Sequence, residues 1–143
     1  MARETLRQPH NLWVRTGLFT TGLAILVVVY IFQRSNLAGF FFEFSPNVIF
    51  VINRTARLIL NDLACFLIIL ALFKESKYLR IAFVVFLAEL LVILPIYLTV
   101  KLTMEGDSEI SSPLLSQVHR LIVNPMLMIL LIGGFFYQRL IKK

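Results

Sequence analysis

Apolar residues run along the chain in four blocks separated by short polar stretches, at about 14–32, 47–73, 79–101 and 114–138. A membrane-spanning helix takes roughly 20 residues, so each block predicts one span. The expected fold is all-α, an integral membrane four-helix bundle in which residues 1–143 form a single transmembrane domain. No internal repeat or low-complexity tract stands out, although the second and fourth blocks both carry an Arg/Asn pair in their first half. The connection SNLAGFFFEFSPN is the most unusual. Its aromatic cluster predicts a segment lying at the membrane surface; the alternative is that the aromatics extend the end of a span.

Composition agrees with the pattern. Of 143 residues, 59% are apolar and only 15% charged, and the mean hydropathy is +0.85. A soluble domain of this length cannot hide so much apolar surface. The net charge of +6 does not point to nucleic acid, because the basic residues are not gathered on one polar face. A single cysteine rules out an internal disulfide, and the absence of CxxC or HExxH spacing leaves no expectation of a metal or other cofactor. The first block has no A-x-A-like site after it and reads as a retained anchor.

Charge sets an expected orientation. Arg3, Arg7 and Arg15 flank the first block, Lys74, Lys77 and Arg80 lie between the second and third, and Arg139, Lys142 and Lys143 follow the fourth. The opposite side has Arg34 and Lys101, beside Glu43, Glu105, Asp107 and Glu109. The positive-inside rule then predicts both termini in the cytoplasm. Trp13, Tyr78 and Tyr137 fall at the inner interface and Tyr30 and Tyr97 near the outer one, as an aromatic belt would. His10 lies outside the spans.

Against this background, the stretch NRTARLILND at 53–62 is anomalous. An Arg, Lys or Asp at a helix centre costs about 2.5–3.5 kcal/mol on insertion scales, while each Leu, Ile, Phe or Val returns about 0.3–0.6. The second span is therefore marginal by itself. Asn53, Arg57 and Asn61 share a face at i, i+4 and i+8, joined by Arg54, while Asp62 lies near the midplane. Matching groups come from two other spans: His119, Arg120 and Asn124 in the outer half of the fourth, and Glu89 at mid-depth in the third. Three readings of this cluster stay open. It is a hydrogen-bonded seam that assembles the helices, with Asp62 and Glu89 neutralising arginines. Or it is an outward cationic pocket in which Arg54, Arg57 and Arg120 hold a carboxylate or phosphate. Or it is an interface where the arginines meet acidic groups of another membrane protein. Three arginines against two acids leave one charge over, which favours an external partner. Pro95 and Pro125 predict kinks in the third and fourth spans. The pairs Gly17/Gly22 and Gly133/Gly134 permit close helix approach, though neither is GxxxG.

The helix NRTARLILND followed by LFKESKYLR, and the closing HRLIVNPMLMILLIGGFFYQRLIKK with its R-x3-NP, resemble the small exosortase F system-associated membrane proteins of Gram-negative bacteria. The similarity in length and four-span layout covers most of the chain. The resemblance implies an inner-membrane protein encoded beside an exosortase, a multi-spanning enzyme that cleaves sorting signals near the outer face of that membrane. The expected role is that of a non-catalytic accessory to the exosortase. The exosortases themselves use a cysteine, an arginine and a histidine, and Cys65, the arginines and His119 are present here. Depth argues against a peptidase. Cys65 lies eight residues beyond Arg57, roughly 12 Å along a helix, and His119 sits at the other side, whereas a nucleophile and its base must approach to about 3 Å. The chain order of cysteine and arginine is also reversed relative to the enzymes. An alternative class is an independent binder or transporter of a small anion or lipid headgroup. Four short spans are thin for a transport path, so that alternative requires a homo-oligomer.

Overall fold

The computed structural model describes residues 11–35, 37–41, 43–106 and 111–142. The positions Arg3, Arg7, His10, Asp107, Glu109 and Lys143 lie outside the described residues. Among the described residues all regular structure is helical. Helix α1 spans Leu12–Ile31 and ends in a 3-10 turn at Phe32–Arg34. A short α2, Leu37–Phe41, leads to the long α3, Pro46–Leu72. Helix α4, Ser76–Ala88, continues through a π-helical turn at Glu89–Ile93 into α5, Leu94–Met104. Helices α6, Pro113–Val123, and α7, Met126–Ile141, complete the chain.

Local chemistry explains the boundaries. Ser45 and Ser112 precede Pro46 and Pro113, which open α3 and α6; proline suits the first helical turn because its missing N–H would lack a partner there anyway. Helix α5 ends where the Glu105 and Gly106 amides both bond the Lys101 carbonyl, with Gly106 at φ +55° in the left-handed region that closes helices. Pro95 cannot donate to the carbonyl four residues back, and the widened turn just before it makes room for its ring. Pro125 has a harsher effect. Helix α6 stops at Val123 and α7 resumes at Met126 with a bend of 64°, because the proline removes an amide donor where the ladder would continue.

Three rods are long and apolar enough to cross a membrane, namely Leu12–Arg34, Pro46–Leu72 and Ser76–Met104, and α6 with α7 makes a fourth if the bent pair is one broken span. This is the architecture of a membrane protein. Large apolar side chains such as Val28, Val84, Leu91, Ile96, Leu130 and Leu140 are exposed, which suits hydrocarbon and not water. We call the end carrying the α1–α3 and α5–α6 connections the upper end.

Helix α3 is the hub: α1 packs on one side of it, and α4, α5, α6 and α7 also touch it. The α1–α3 pair is antiparallel. Near its lower end the Arg15 guanidinium donates to the Ala71 and Leu72 carbonyls at 2.7 and 3.2 Å. At mid-length Gly22, the single buried residue of α1, lies against the Ala64 carbonyl and Ile68. Two cores lie around the hub. The lower one joins Cys65, Ile69 and Phe73 of α3 and its C-terminal cap to Tyr78, Met128 and Phe135, with ring centroids 4.6 Å apart for Tyr78–Phe135 and 4.8 Å for Phe73–Tyr78. The upper one joins Leu58 to Leu94, Tyr97, Leu115 and Ile122.

The aromatic-belt expectation fails at two of its five positions. Tyr78 and Tyr97 do not face an interface; both are buried core residues, because each has a neighbouring helix to pack against. Trp13, Tyr30 and Tyr137 do present exposed rings. The stretch SNLAGFFFEFSPN contains α2, and Phe40, Phe41 and Phe44 project from this region exposed.

Candidate functional site

The polar residues singled out in the sequence divide into two levels with a joint beside them. On the upper level, Arg54 and Arg57 rise from α3 and His119 and Arg120 from α6. The Tyr97 hydroxyl and His119 Nδ1 are hydrogen-bonded at 2.7 Å. Around this pair stand Arg54, Arg57, Lys101 and Arg120, all within electrostatic reach of the His119 ring. Phe50, one turn above Arg54, offers its face to two of the cations, at 5.0 Å from the Arg54 guanidinium and 5.5 Å from Lys101 Nζ. Lys101 also donates to the Gly106 carbonyl at 2.7 Å, and Arg57 to the Ser35 carbonyl at 3.3 Å. Arg54 Nε is buried and has no hydrogen-bond partner. Arg120 is exposed, so the group is graded from an open rim to a covered floor.

Glu105, within electrostatic reach of Tyr97 and Lys101, is occupied elsewhere. Its carboxylate accepts from the Ser111 amide and hydroxyl and the Ser112 amide at 2.9–3.1 Å. Desolvation pushes this carboxyl up, but those hydrogen bonds together with nearby Lys101 outweigh it and hold the group below its ordinary value. Among the described residues the ion pair is Lys77–Glu75, at the α3–α4 connection; none of the upper-level arginines is ion-paired.

On the lower level, Asp62 and Glu89 face each other between α3 and the π-helical turn. They are 1% and 4% exposed, and Asp62 Oδ2 and Glu89 Oε1 receive no donor. The two acids therefore do not neutralise arginines; they meet one another, beside Cys65. Helix direction accounts for this. Side chains lean toward the helix N-terminus, which on α3 is the upper end, so long arginine side chains reach upward while the short aspartate stays at depth.

At the joint, the Asn61 amide donates to the Val123 carbonyl at 2.7 Å, where the α6 ladder ends. Asn124 and Asn61 line a groove of about 470 Å³ between α1 and the α6–α7 elbow. Asn53 is half-buried on the upper part of α3. The sequence grouping thus holds Arg54, Arg57, His119 and Arg120 together, sets Asp62 and Glu89 apart from them, and gives Asn61 a helix-joining contact. It omitted Lys101, Tyr97 and Phe50. A usable signal existed: Tyr97 and Lys101 are four residues apart on one face of the third span, and Phe50 is four before Arg54. Cys65 lies in the lower core while His119 belongs to the upper level.

Comparison of the chain with protein-family models, with curated proteins and with solved structures finds no match to any of them.

Proposed function

We propose that this chain is a four-span helical bundle of the bacterial inner membrane, with both termini cytoplasmic, that serves as a non-catalytic partner subunit of an exosortase sorting system. Its upper cationic group is the working surface. It receives an anionic group from outside the chain: a carboxylate of a sorted protein or partner, or a phosphate. One observation carries this reading: the Arg54, Arg57 and Arg120 guanidiniums gather around Tyr97–His119 with no described carboxylate paired to them and with Arg54 Nε left without an acceptor.

Magnitudes favour an external anion. Each arginine within a span is unfavourable by about 2.5–3.5 kcal/mol on insertion scales. One oxyanion at 4 Å from a guanidinium gains about 4 kcal/mol at an effective dielectric of 20, enough to offset one such residue. Arginine also offers a planar fork that fits carboxylate and phosphate oxygens in pairs. The exosortase assignment is supported by the likeness of the NRTARLILND helix and the closing R-x3-NP segment to that family.

The test is co-purification of the tagged protein from its native membranes in gentle detergent, followed by identification of what stays bound. An exosortase recovered in fixed proportion, and lost when Arg54 and Arg57 are both changed to Gln, is the expected result. Recovery of the chain alone, or only with further copies of itself, overturns the partner-subunit reading.

A further inference from the structure

Asp62 and Glu89 take no part in the upper cationic group, yet both are buried, at 1% and 4% exposed. Two different backbones bring them together. Asp62 projects from the regular helix α3, whereas Glu89 opens the π-helical turn between α4 and α5. Their side chains face one another. Asp62 Oδ2 and Glu89 Oε1 are closed off from solvent and receive no donor.

Among the described residues no cation stands against this pair. On α3 itself, Arg54 and Arg57 lie with the upper group, and Cys65, three residues on, adds only a thiol, a weak donor. Arg15 of α1 caps the lower end of α3. Tyr97 and Lys101 of α5 and His119 of α6 belong to the upper level. Tyr78 of α4 packs on Phe135 in the lower core, while Arg80 of α4, Arg120 of α6 and Arg139 of α7 are exposed. The burial of both acids also keeps out a cation from lipid or from another chain. A metal ion fits poorly. Hard cations take about six or more oxygens, and no group of three His, Cys, Asp or Glu among the described residues is placed to hold one.

Two carboxylates in contact cannot both ionise in such surroundings, because each charge lacks solvation and repels the other. One proton relieves both penalties. It neutralises one carboxyl and turns it into the donor that the other lacks. We propose that Asp62 and Glu89 form a buried proton-binding site, in which one carboxyl donates an O–H···O hydrogen bond to the other at neutral pH. The bond ties α3 to the π-helical turn. The site is separate from the upper cationic group and does not depend on what that group receives.

The experiment is infrared spectroscopy of the full chain at neutral pH in dodecyl maltoside, a detergent without ester carbonyls. Exposed acids such as Glu43 and Glu75 are ionised there and leave the stretching region of protonated carboxyls clear. A band should nevertheless stand in that region. It should move to lower frequency in a chain grown with aspartate and glutamate that carry a heavy carboxyl carbon. It should be lost in the double variant Asp62→Asn, Glu89→Gln, whose amides keep the shape of the acids. Glu43→Gln, Glu75→Gln and Glu105→Gln should each leave it unchanged. Should the double variant fail to fold, the isotope shift and these three controls decide the assignment on an intact pair. Absence of the band from the wild-type chain overturns the site. So does a band that the isotope does not move, that survives in the folded double variant, or that disappears with any of the three controls.

Discussion

The Asn61 side-chain amide donates to the Val123 carbonyl at 2.7 Å, tying the middle of the longest helix to the point where α6 stops. Pro125 follows two residues later and breaks the ladder that would otherwise use carbonyls in this turn. Asn61 is 3% exposed, so water is not at hand to replace it.

Asn61→Ala should therefore destabilise the protein by about 1–2 kcal/mol, above the roughly 0.6 average for hydrogen bonds between membrane helices, because a carbonyl at a broken helix end is left bare. Reversible unfolding in mixed micelles measures it. A loss below a few tenths of a kcal/mol would show that the elbow satisfies itself.

Gly22 leads to a second expectation. A Cβ there would lie 2.8 Å from the Ala64 carbonyl oxygen and 2.9 Å from Ile68 Cγ1. The first of these is backbone and cannot swing aside. Gly22→Ala should cost about 1–3 kcal/mol through overpacking. Gly17→Ala meets nothing within 4 Å and should be neutral or slightly stabilising, since alanine is the better helix former. Equal unfolding curves for the two variants would contradict the close α1–α3 contact.

Arg15 closes the same helix pair from below. Its guanidinium caps the Ala71 and Leu72 carbonyls at the end of α3, the negative end of the helix dipole. Arg15→Gln should lower stability by about 1–2 kcal/mol and loosen the α1–α3 contact at its lower end. Cross-linking of cysteines placed at positions 12 and 74 reports this; unchanged cross-linking yield would count against the cap.

A pH dependence follows from Glu105. Its folded carboxyl sits below the ordinary value of 4.5, so its contribution is fully present above that value and is lost as pH falls through the lower, folded one. The tether to Ser111 and Ser112 should hold at neutral pH and release in strong acid. Amide exchange at 111–116, corrected for intrinsic rates, should lose protection there, and Glu105→Gln should show the weakened tether already at pH 7. Identical protection across the range would remove Glu105 from this role.

Much of the helical layout is legible in the sequence because apolar runs of spanning length have few alternatives. The elbow is legible too, since Pro125 in an apolar run leaves an unusable helix position. What the charges do is less legible. Counting opposite signs pairs Asp62 and Glu89 with arginines, yet the arginines lean toward the upper end and the acids stay at depth beside Cys65. Lys101 and Tyr97 read as interface residues when only their distance from the span end is considered. Their burial depends on α3 and α6 packing across α5, which a single span does not reveal.

The isolation of α1 bears on how the chain is made. Because α1 packs on α3 while Gly22 and Arg15 fix their register, these two helices form a hairpin whose contacts are complete before α4 to α7 have been synthesised. Helix α3 is the segment burdened with charge, and α1, which presents an almost wholly apolar surface, is the neighbour available when it leaves the ribosome. At that stage α1 gives α3 apolar packing along one side, while Asp62 and Arg54 still wait for the later helices that carry Glu89 and His119.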